Sequence, residues 1–480
     1  MSMTAARSEV RTTETLSRFA SGICYDDLPG DVLMQAKQSV LDIVGAALAG
    51  SGTGEGCEEI VSFATAQSES GRAVLWASGA RLGVAQAALA NAAHARALDY
   101  DDIIEHPQVH VAVCVVPAVF AVSQIADAPV TGKAFLAAVA VGCEVQSRLA
   151  AAIASHCGDG GLPRMLSTQV FGYFSAAAAC GNLLGLDPDE ISSAFGLALM
   201  QAAGTEEMVV HAAASFGKCL YAGFSNQGGI HSALMARHGV LARGEPFDGE
   251  AGLFAAYYDG RYDRTRLTAD LGRSFVSLGR CFKAMPGTLV SHAFAEAALR
   301  VLSEQHLAAA DVDCVRLHVG PWGKAMCEPG ETRRHPPTAS AAMNSIPFIV
   351  AKAIVNGKVA LDDFGREGRS QSEVLDTAAR IEHIVDANLA NPEGLEPGVI
   401  ELRSKHGASF WMRVERPRGH PSRPMHFEDI AQKFRDNAAY AARPLEPWRI
   451  EGIIDRVLHL EHMDDVQTLA SLITDRGKSV

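Results

Sequence analysis

Residues 91–117 read NAAHARALDYDDIIEHPQVHVAVCVVP, and the rest of the chain is organised around them. An alanine-rich helix ends in Asp99, Asp101 and Asp102, followed by Glu105, His106 and His110, and an almost unbroken apolar run then begins. Carboxylates and imidazoles therefore meet where two helices predicted to be buried join, and burying charge without partners is costly. Two readings stand side by side on this stretch alone. Either the aspartates are helix-end and capping residues beside a solvated loop, or the group is an acid/base cluster at a cleft.

The length of 480 residues predicts a substantial core and two domains. Apolar residues make up 48% and charged residues 20%, the balance of an ordinary soluble enzyme and not of a disordered chain. The net charge of −13 argues against a general nucleic-acid binder, which requires a basic face, yet leaves room for a local basic pocket that holds a small anion. The ten cysteines, Cys114, Cys143, Cys180 and Cys219 among them, lie mostly in apolar surroundings without CxxC or zinc-like spacing. They read as reduced core residues of a cytoplasmic protein. The first residues, MSMTAARSEVRTTETLS, lack the apolar core of a signal peptide. Two uncharged stretches, 107–126 and 165–186, are long enough to span a membrane but weakly hydrophobic, and are expected to be interior helices.

Pro29-Gly30-Asp31 opens a helix with Asp31 as its expected N-cap. Leu33, Ala36, Val40, Ile43, Val44 and Ala47 then form one face at helical spacing. Residues 130–154 form another helix, capped by Thr131, with Glu144 and Arg148 four apart. On so apolar a helix Arg148 is either half of a surface pair or a group facing a pocket. Asp187-Pro188-Asp189-Glu190 carries Asp at the cap, Pro at the first position and Glu at the third. Residues 215–240 read as a small-residue helix bearing Lys218 near its start, then Tyr221 and Asn226.

Nothing before residue 270 alternates as a strand should, and the character changes near Arg280. Residues 312–319, VDCVRLHV, alternate as a strand, and 400–414 read as a hairpin turning at His406-Gly407. Residues 341–356 and 375–385 read as helices between them, and 427–442 and 450–474 as two final helices whose composition suits the first domain. The predicted fold is mainly α with an α+β part. A large all-helical domain is built from both chain ends, 1–275 and 419–480, with a smaller α+β domain inserted at 276–418.

The motifs GxGxxG after a strand, GxxxxGK[ST], HExxH and GxSxG are absent, which argues against dinucleotide, P-loop, zincin and nucleophile-elbow chemistry. What remains is Asp99 and His110, Lys218 in SFGKCLYAG, Lys283 in CFKAMPG, and His292. A lysine beside small-residue backbone suits a carboxylate, because ammonium and free N–H groups converge on its oxygens. Taken alone, such a lysine is more often a surface residue.

ALDYDD, followed by a histidine and VVPA, resembles the signature of the MmgE/PrpD superfamily. The likeness continues in order through GCEVQSRL, FGYFSAAAACGNLLGLD, GKCLYAGFSNQGG, CFKAMPGTLVSHAFAEAAL, IPFIVAKAIVNGKVALDDF and VERPRGHPSRPMHFEDIAQKF, over nearly the whole chain. That family includes 2-methylcitrate dehydratases, cis-aconitate decarboxylases and iminodisuccinate epimerases. The resemblance implies a helical domain with an α+β lid, an active site in the cleft between them, a homodimer, and neither metal nor organic cofactor. It implies His110 as acid/base, Asp99 as its orienting group and Lys218 as a catalytic lysine. Lys283, Arg148, Tyr221, His292 and Thr288 form the candidate substrate-binding set.

The sequence also departs from the family pattern. His110 is followed by Val111 where the family has Pro, while the His-Pro pair sits earlier, at His106-Pro107. His110 is preferred because it keeps the family's spacing to Pro117. Ile103 stands for a Thr, MLSTQ for FHPTG near Leu166, and Thr288 and Leu289 for Cys or His and Arg; the lid tyrosine is missing. The expected activity is a cofactor-independent lyase acting on a small di- or tricarboxylate by proton transfer next to a carboxylate. An epimerase and an inactive ligand-binding homologue are the alternatives. No nucleic acid and no membrane is expected as a partner.

Overall fold

The computed structural model describes residues 11–68, 70–156, 165–207, 216–391 and 394–474, apart from the side chains of residues 216 and 218. The architecture is mainly helical with a smaller α+β part. Helix Leu220–Arg237 packs on Ser167–Leu183, which packs on Gly132–Ala154; Val84–Arg96 lies against both Leu220–Arg237 and Gly30–Thr53. Small residues allow this. A Cβ on Gly50 would come within 2.0 Å of the His94 carbonyl oxygen, so a larger residue would force the two helices apart.

The helix starts follow local chemistry. Thr131 accepts the Ala134 N–H at 3.2 Å, and Asp187 and Glu190 close a reciprocal box at 2.8 and 2.9 Å. Asp31, however, is not the cap of its helix. Pro29 holds that position, and Asp31 sits inside the first turn, where its carboxylate accepts the Val32 N–H at 2.8 Å and faces the positive end of the helix dipole. The helix expected over 215–240 spans Leu220–Arg237, after a short 3₁₀ turn at Phe216–Cys219. The two expected final helices are three: Phe427–Ala438, Pro447–Leu458 and Gln467–Ile473.

Gly30–Thr53 and Gly132–Ala154 are long and apolar enough to cross a membrane by length and composition, yet 89% and 94% of their most apolar windows are buried inside the molecule. They are core helices here. The stretches 107–126 and 165–186 supply further buried helices, Val116–Ser123 and Ser167–Leu183.

Buried apolar side chains fall into two clusters. One draws on Leu16 to Phe282 and again on Met425 to Ile473, so both ends of the described chain share it. The other is built from Cys281 to Val414, joined by Ala49, Leu98, Tyr100 and Ile103 from the first half. Its centre is a four-stranded sheet in the order Ile381–Val385, Val312–Val319, Gly398–Ser404, Ser409–Val414. The last two strands form the expected hairpin, with Gly407 at φ 84° in the turn. Helix Leu289–Glu304 lies on this hairpin and against Ile346–Asn356.

Two expectations fail in this part. Residues 375–385 are not one helix: Ser372–Ala379 is helical, and Ile381–Val385 is an edge strand parallel to Val312–Val319. The β-branched IEHIV run fits a pleated edge, and pairing with the neighbouring strand outweighs helical continuation. The helix expected over 341–356 is broken into Ala339–Met343 and Ile346–Asn356, because Ser345 caps the second by accepting the Phe348 N–H and Pro347 occupies its first turn. The first half also holds two-residue ladders. One of them pairs Ile103–Ile104 with Arg280–Cys281 and carries the chain from one core toward the other.

Candidate active site

Helix Val84–Arg96 ends just before the acidic turn, and Asp99 bends the chain with φ 48°, a left-handed conformation that aspartate tolerates better than most residues. Asp99 and Asp101 nevertheless converge on the same guanidinium nitrogen, Arg96 Nη1. Asp99 is held by cations: its Oδ1 lies 3.0 Å from Arg96 Nη1, and the Lys283 ammonium donates to the same oxygen and, at 2.8 Å, to the Asp99 carbonyl. Asp101 Oδ1 accepts from the same Arg96 Nη1 at 3.2 Å. Arg96 Nε donates to the Tyr221 hydroxyl, and its guanidinium lies 5.3 Å from that ring's centroid.

His110 completes the cluster. Its backbone N–H donates to Thr168 Oγ1 at 3.0 Å, and its carbonyl accepts from Gln146 Nε2 at 2.9 Å, which fixes the main chain. Nδ1 lies 3.1 Å from the Asp102 carbonyl, in hydrogen-bond alignment, and 2.9 Å from Asp101 Oδ2 alongside. Both neighbours are acceptors, so the ring's proton belongs on Nδ1 and Nε2 is left as a lone pair. Burial, reinforced by Arg96 and Lys283 and opposed by Asp101, pushes His110 down to about 4. The imidazole is therefore neutral at physiological pH. Against the cost of burial, His110 and Arg96 hold Asp101 below the ordinary carboxylate value.

Behind this layer two more buried pairs lock the turn. Arg280 Nη1 pairs with Asp102 Oδ2 at 2.7 Å and also donates to Ser39, while Asp102 Oδ1 accepts the Ala112 N–H at 3.0 Å. Lys433, from the C-terminal segment, pairs with Asp42 at 2.7 Å and donates to the carbonyls of Tyr100 at 2.6 Å and Lys283 at 3.0 Å. Lys433 thus ties the backbones that carry the acidic turn and Lys283 together.

The structure brings His110, Asp99, Lys283 and Tyr221 into one cluster, with corrections. The carboxylate beside the orienting nitrogen is Asp101, not Asp99; Asp99 sits 4.0 Å from Nε2, held by Arg96 and Lys283. His292 is buried near Lys283 and is pushed down to about 3 by burial and by that lysine. Thr288 precedes helix Leu289–Glu304, and its neighbour Gly287 donates to the Asp99 carbonyl at 3.2 Å. Arg148 is not a pocket residue. Its guanidinium is filled by Glu144 at 2.6 Å and by the carbonyls of Ala269 and Ser274 at 2.7 and 2.8 Å. His106 turns away, with Nε2 2.9 Å from the Ala154 carbonyl. The side chain of Lys218 lies outside the described residues.

Arg96, Asp101 and Lys433 were not among the expected site residues. Arg96 carried one usable signal, a cation set among alanines on a helix, where burial demands a partner; Lys433, between Gln432 and Arg435 on a polar helix, carried none. Asp99, Asp101 and His110 place donor atoms within 4.8 Å of one another. Arg96 and Lys283 already neutralise those carboxylates, which makes the group a poor seat for a further cation.

Models of the MmgE/PrpD N-terminal domain and C-terminal domain match residues 14–265 and 285–460. The chain belongs to the MmgE/PrpD family. Among known proteins it is similar to the cis-aconitate decarboxylase of Aspergillus terreus, at 27% identity over 97% of this chain and 96% of that protein. The cis-aconitate decarboxylase-like protein oryM of Aspergillus oryzae is 27% identical over 99% of both chains, and the human cis-aconitate decarboxylase 26% identical over 96% of this chain and 94% of its own.

Proposed function

We propose that this protein is a lyase acting on a small di- or tricarboxylate, with His110 exchanging a proton at a carbon next to a carboxylate. The observation that carries the proposal is the neutral imidazole, with Nδ1 set against the Asp102 carbonyl and Asp101 while Nε2 stays a lone pair. Such a group begins as a base. It takes the proton from carbon, and the imidazolium that results is stabilised by Asp101, 2.9 Å away. In an elimination the C–H electron pair becomes the new C=C bond as hydroxide leaves, and the proton departs with it as water. Lys283 and Arg96 bring positive charge to the edge where the carboxylate-stabilised anion forms. In the described cluster these two cations are balanced by Asp99 and Asp101, so Lys218 is the group we assign to anchoring a substrate carboxylate.

A second reading, decarboxylation, is favoured by the names of the relatives. There the bond that breaks is C–CO₂, and His110 must first be protonated so that it can deliver a proton to carbon. A polyanionic substrate beside the ring would raise its pKa from the value in the free protein. Proton NMR in D₂O of a panel of small di- and tricarboxylates, cis-aconitate included, separates the readings. Loss of water with a new vinyl signal supports elimination. Loss of CO₂ with one deuterium placed on carbon supports decarboxylation. Exchange, water loss and CO₂ loss all absent across the panel would overturn both.

A further inference from the structure

Tyr221 stands in the first turn of helix Leu220–Arg237, three residues after Lys218. It is buried, with 6% of its surface left, and the proton transfer at His110 gives it no role. Arg96 Nε donates to its hydroxyl oxygen. A guanidinium carries donors only, so the oxygen is the acceptor in that contact and the tyrosine's own O–H must point elsewhere. Among the described residues no acceptor takes that proton. A buried tyrosine O–H ordinarily finds a partner, and leaving one unpaired is costly.

The unused proton belongs to the site. The guanidinium that holds the Tyr221 oxygen also holds Asp99 and Asp101 through Nη1, at 3.0 and 3.2 Å, and Asp101 lies 2.9 Å from His110 Nδ1. Burial raises the Tyr221 pKa; Arg96 opposes the rise, and Asp101 and Asp99 add to it. The phenol therefore keeps its proton at physiological pH and acts as a donor, not as a base. Donation from Arg96 to its oxygen polarises the O–H and strengthens that donor.

We propose that the Tyr221 hydroxyl is a catalytic hydrogen-bond donor, binding the substrate carboxylate oxygen on which negative charge builds during the reaction. The inference rests on the lyase reading above and adds to it the group that meets the developing oxyanion. A donor held in place and unpaired needs no reorganisation as that charge appears. The proton stays on the phenol throughout, so no proton transfer is added to the one at His110. A carboxylate-stabilised anion forms in elimination and in decarboxylation alike, and the role is the same in both.

The test compares the full wild-type chain with Tyr221→Phe on whichever small di- or tricarboxylate the wild type turns over. The expected result is a fall in kcat of about 10²–10³-fold with far less change in KM. A ring-fluorinated tyrosine at the same position separates donor from scaffold, and keeps the proposal testable should Tyr221→Phe fail to fold. Fluorine weakens the oxygen as an acceptor for Arg96 and strengthens its proton as a donor, so kcat is expected to hold or rise. The nitronate of β-nitropropionate carries its charge where the anion forms. By calorimetry it is expected to bind the wild type about 100-fold more tightly than Tyr221→Phe, with succinate binding little changed. Equal kcat or equal nitronate affinity in Tyr221→Phe, or a fall in kcat on fluorination, would overturn the proposal and leave the reading of His110 standing. A wild-type protein that neither turns over any acid of the panel nor binds the nitronate would overturn that reading, and the proposal with it.

Discussion

Two buried clusters of charge in the same helical core make opposite use of it. On helix Gly132–Ala154, Glu144 and Arg148 are 0% and 1% exposed, and every group is occupied. Arg148 meets Glu144 and the backbone carbonyls of 266–274, while Glu144 accepts the Val276 and Ser277 N–H groups at 3.1 and 2.9 Å. In the acidic turn, Asp99 and His110 keep 5% and 7% of their surface, and His110 retains a lone pair on Nε2. Both clusters bear the cost of burying charge. What separates them is whether a reactive atom is left unused. Buried charge alone does not mark an active site, which is why Arg148 was a poor candidate and His110 a good one.

That contrast sets the expected results of substitution. His110→Ala should lower turnover by a factor on the order of 10²–10⁴ while the folded fraction stays high. His106→Ala, whose ring meets the Ala154 backbone carbonyl and not the acidic turn's carboxylates, should cost far less. Arg148→Met should do the reverse. It leaves the Glu144 carboxylate without its cation, so unfolding in denaturant should show a loss of about 3–5 kcal/mol, with turnover per folded molecule retained. If Arg148→Met abolished turnover in fully folded protein, the distinction between the clusters would break.

A smaller effect sharpens it. Asp101 raises the His110 pKa, so Asp101→Asn should move the acid limb of the kcat/KM profile to lower pH. It should also reduce kcat, because the imidazolium loses its partner. Stability offers the mildest readout. His94 and His110 are pushed down to about 4 and His292 to about 3, chiefly by burial. Unfolded histidine binds its proton near pH 6.5, so the unfolded chain takes up protons first as pH falls. The stability these groups contribute is complete above about 6.5 and is lost progressively below it. Tm should therefore drop between neutral pH and pH 5, and His110→Ala should flatten part of that drop.

Much of the fold could be read locally. Thr131 and the Asp187–Glu190 pair cap their helices because capping depends on neighbours three residues away. The hairpin at Gly407 is equally local. Ile381–Val385 was missed because its strand identity comes from Val312–Val319, some seventy residues earlier. The site divides the same way. Spacing and family resemblance placed His110, Lys283 and Tyr221 together, but they did not show which aspartate faces the ring. That depends on the bend at Asp99, a backbone choice that composition leaves open. Lys433 is further still, since its partners Asp42, Tyr100 and Lys283 are distant in sequence.

The central claim is that His110 waits as a neutral base with its proton on Nδ1. Nitrogen NMR of the histidine-labelled free protein reads this without a substrate. The expected result at neutral pH is a protonated Nδ1 and an unprotonated Nε2 for His110, with a titration midpoint near 4 and loss of the signal in His110→Ala. An imidazolium at neutral pH, or the proton on Nε2, would contradict the account, because neither form can begin by taking a proton from carbon.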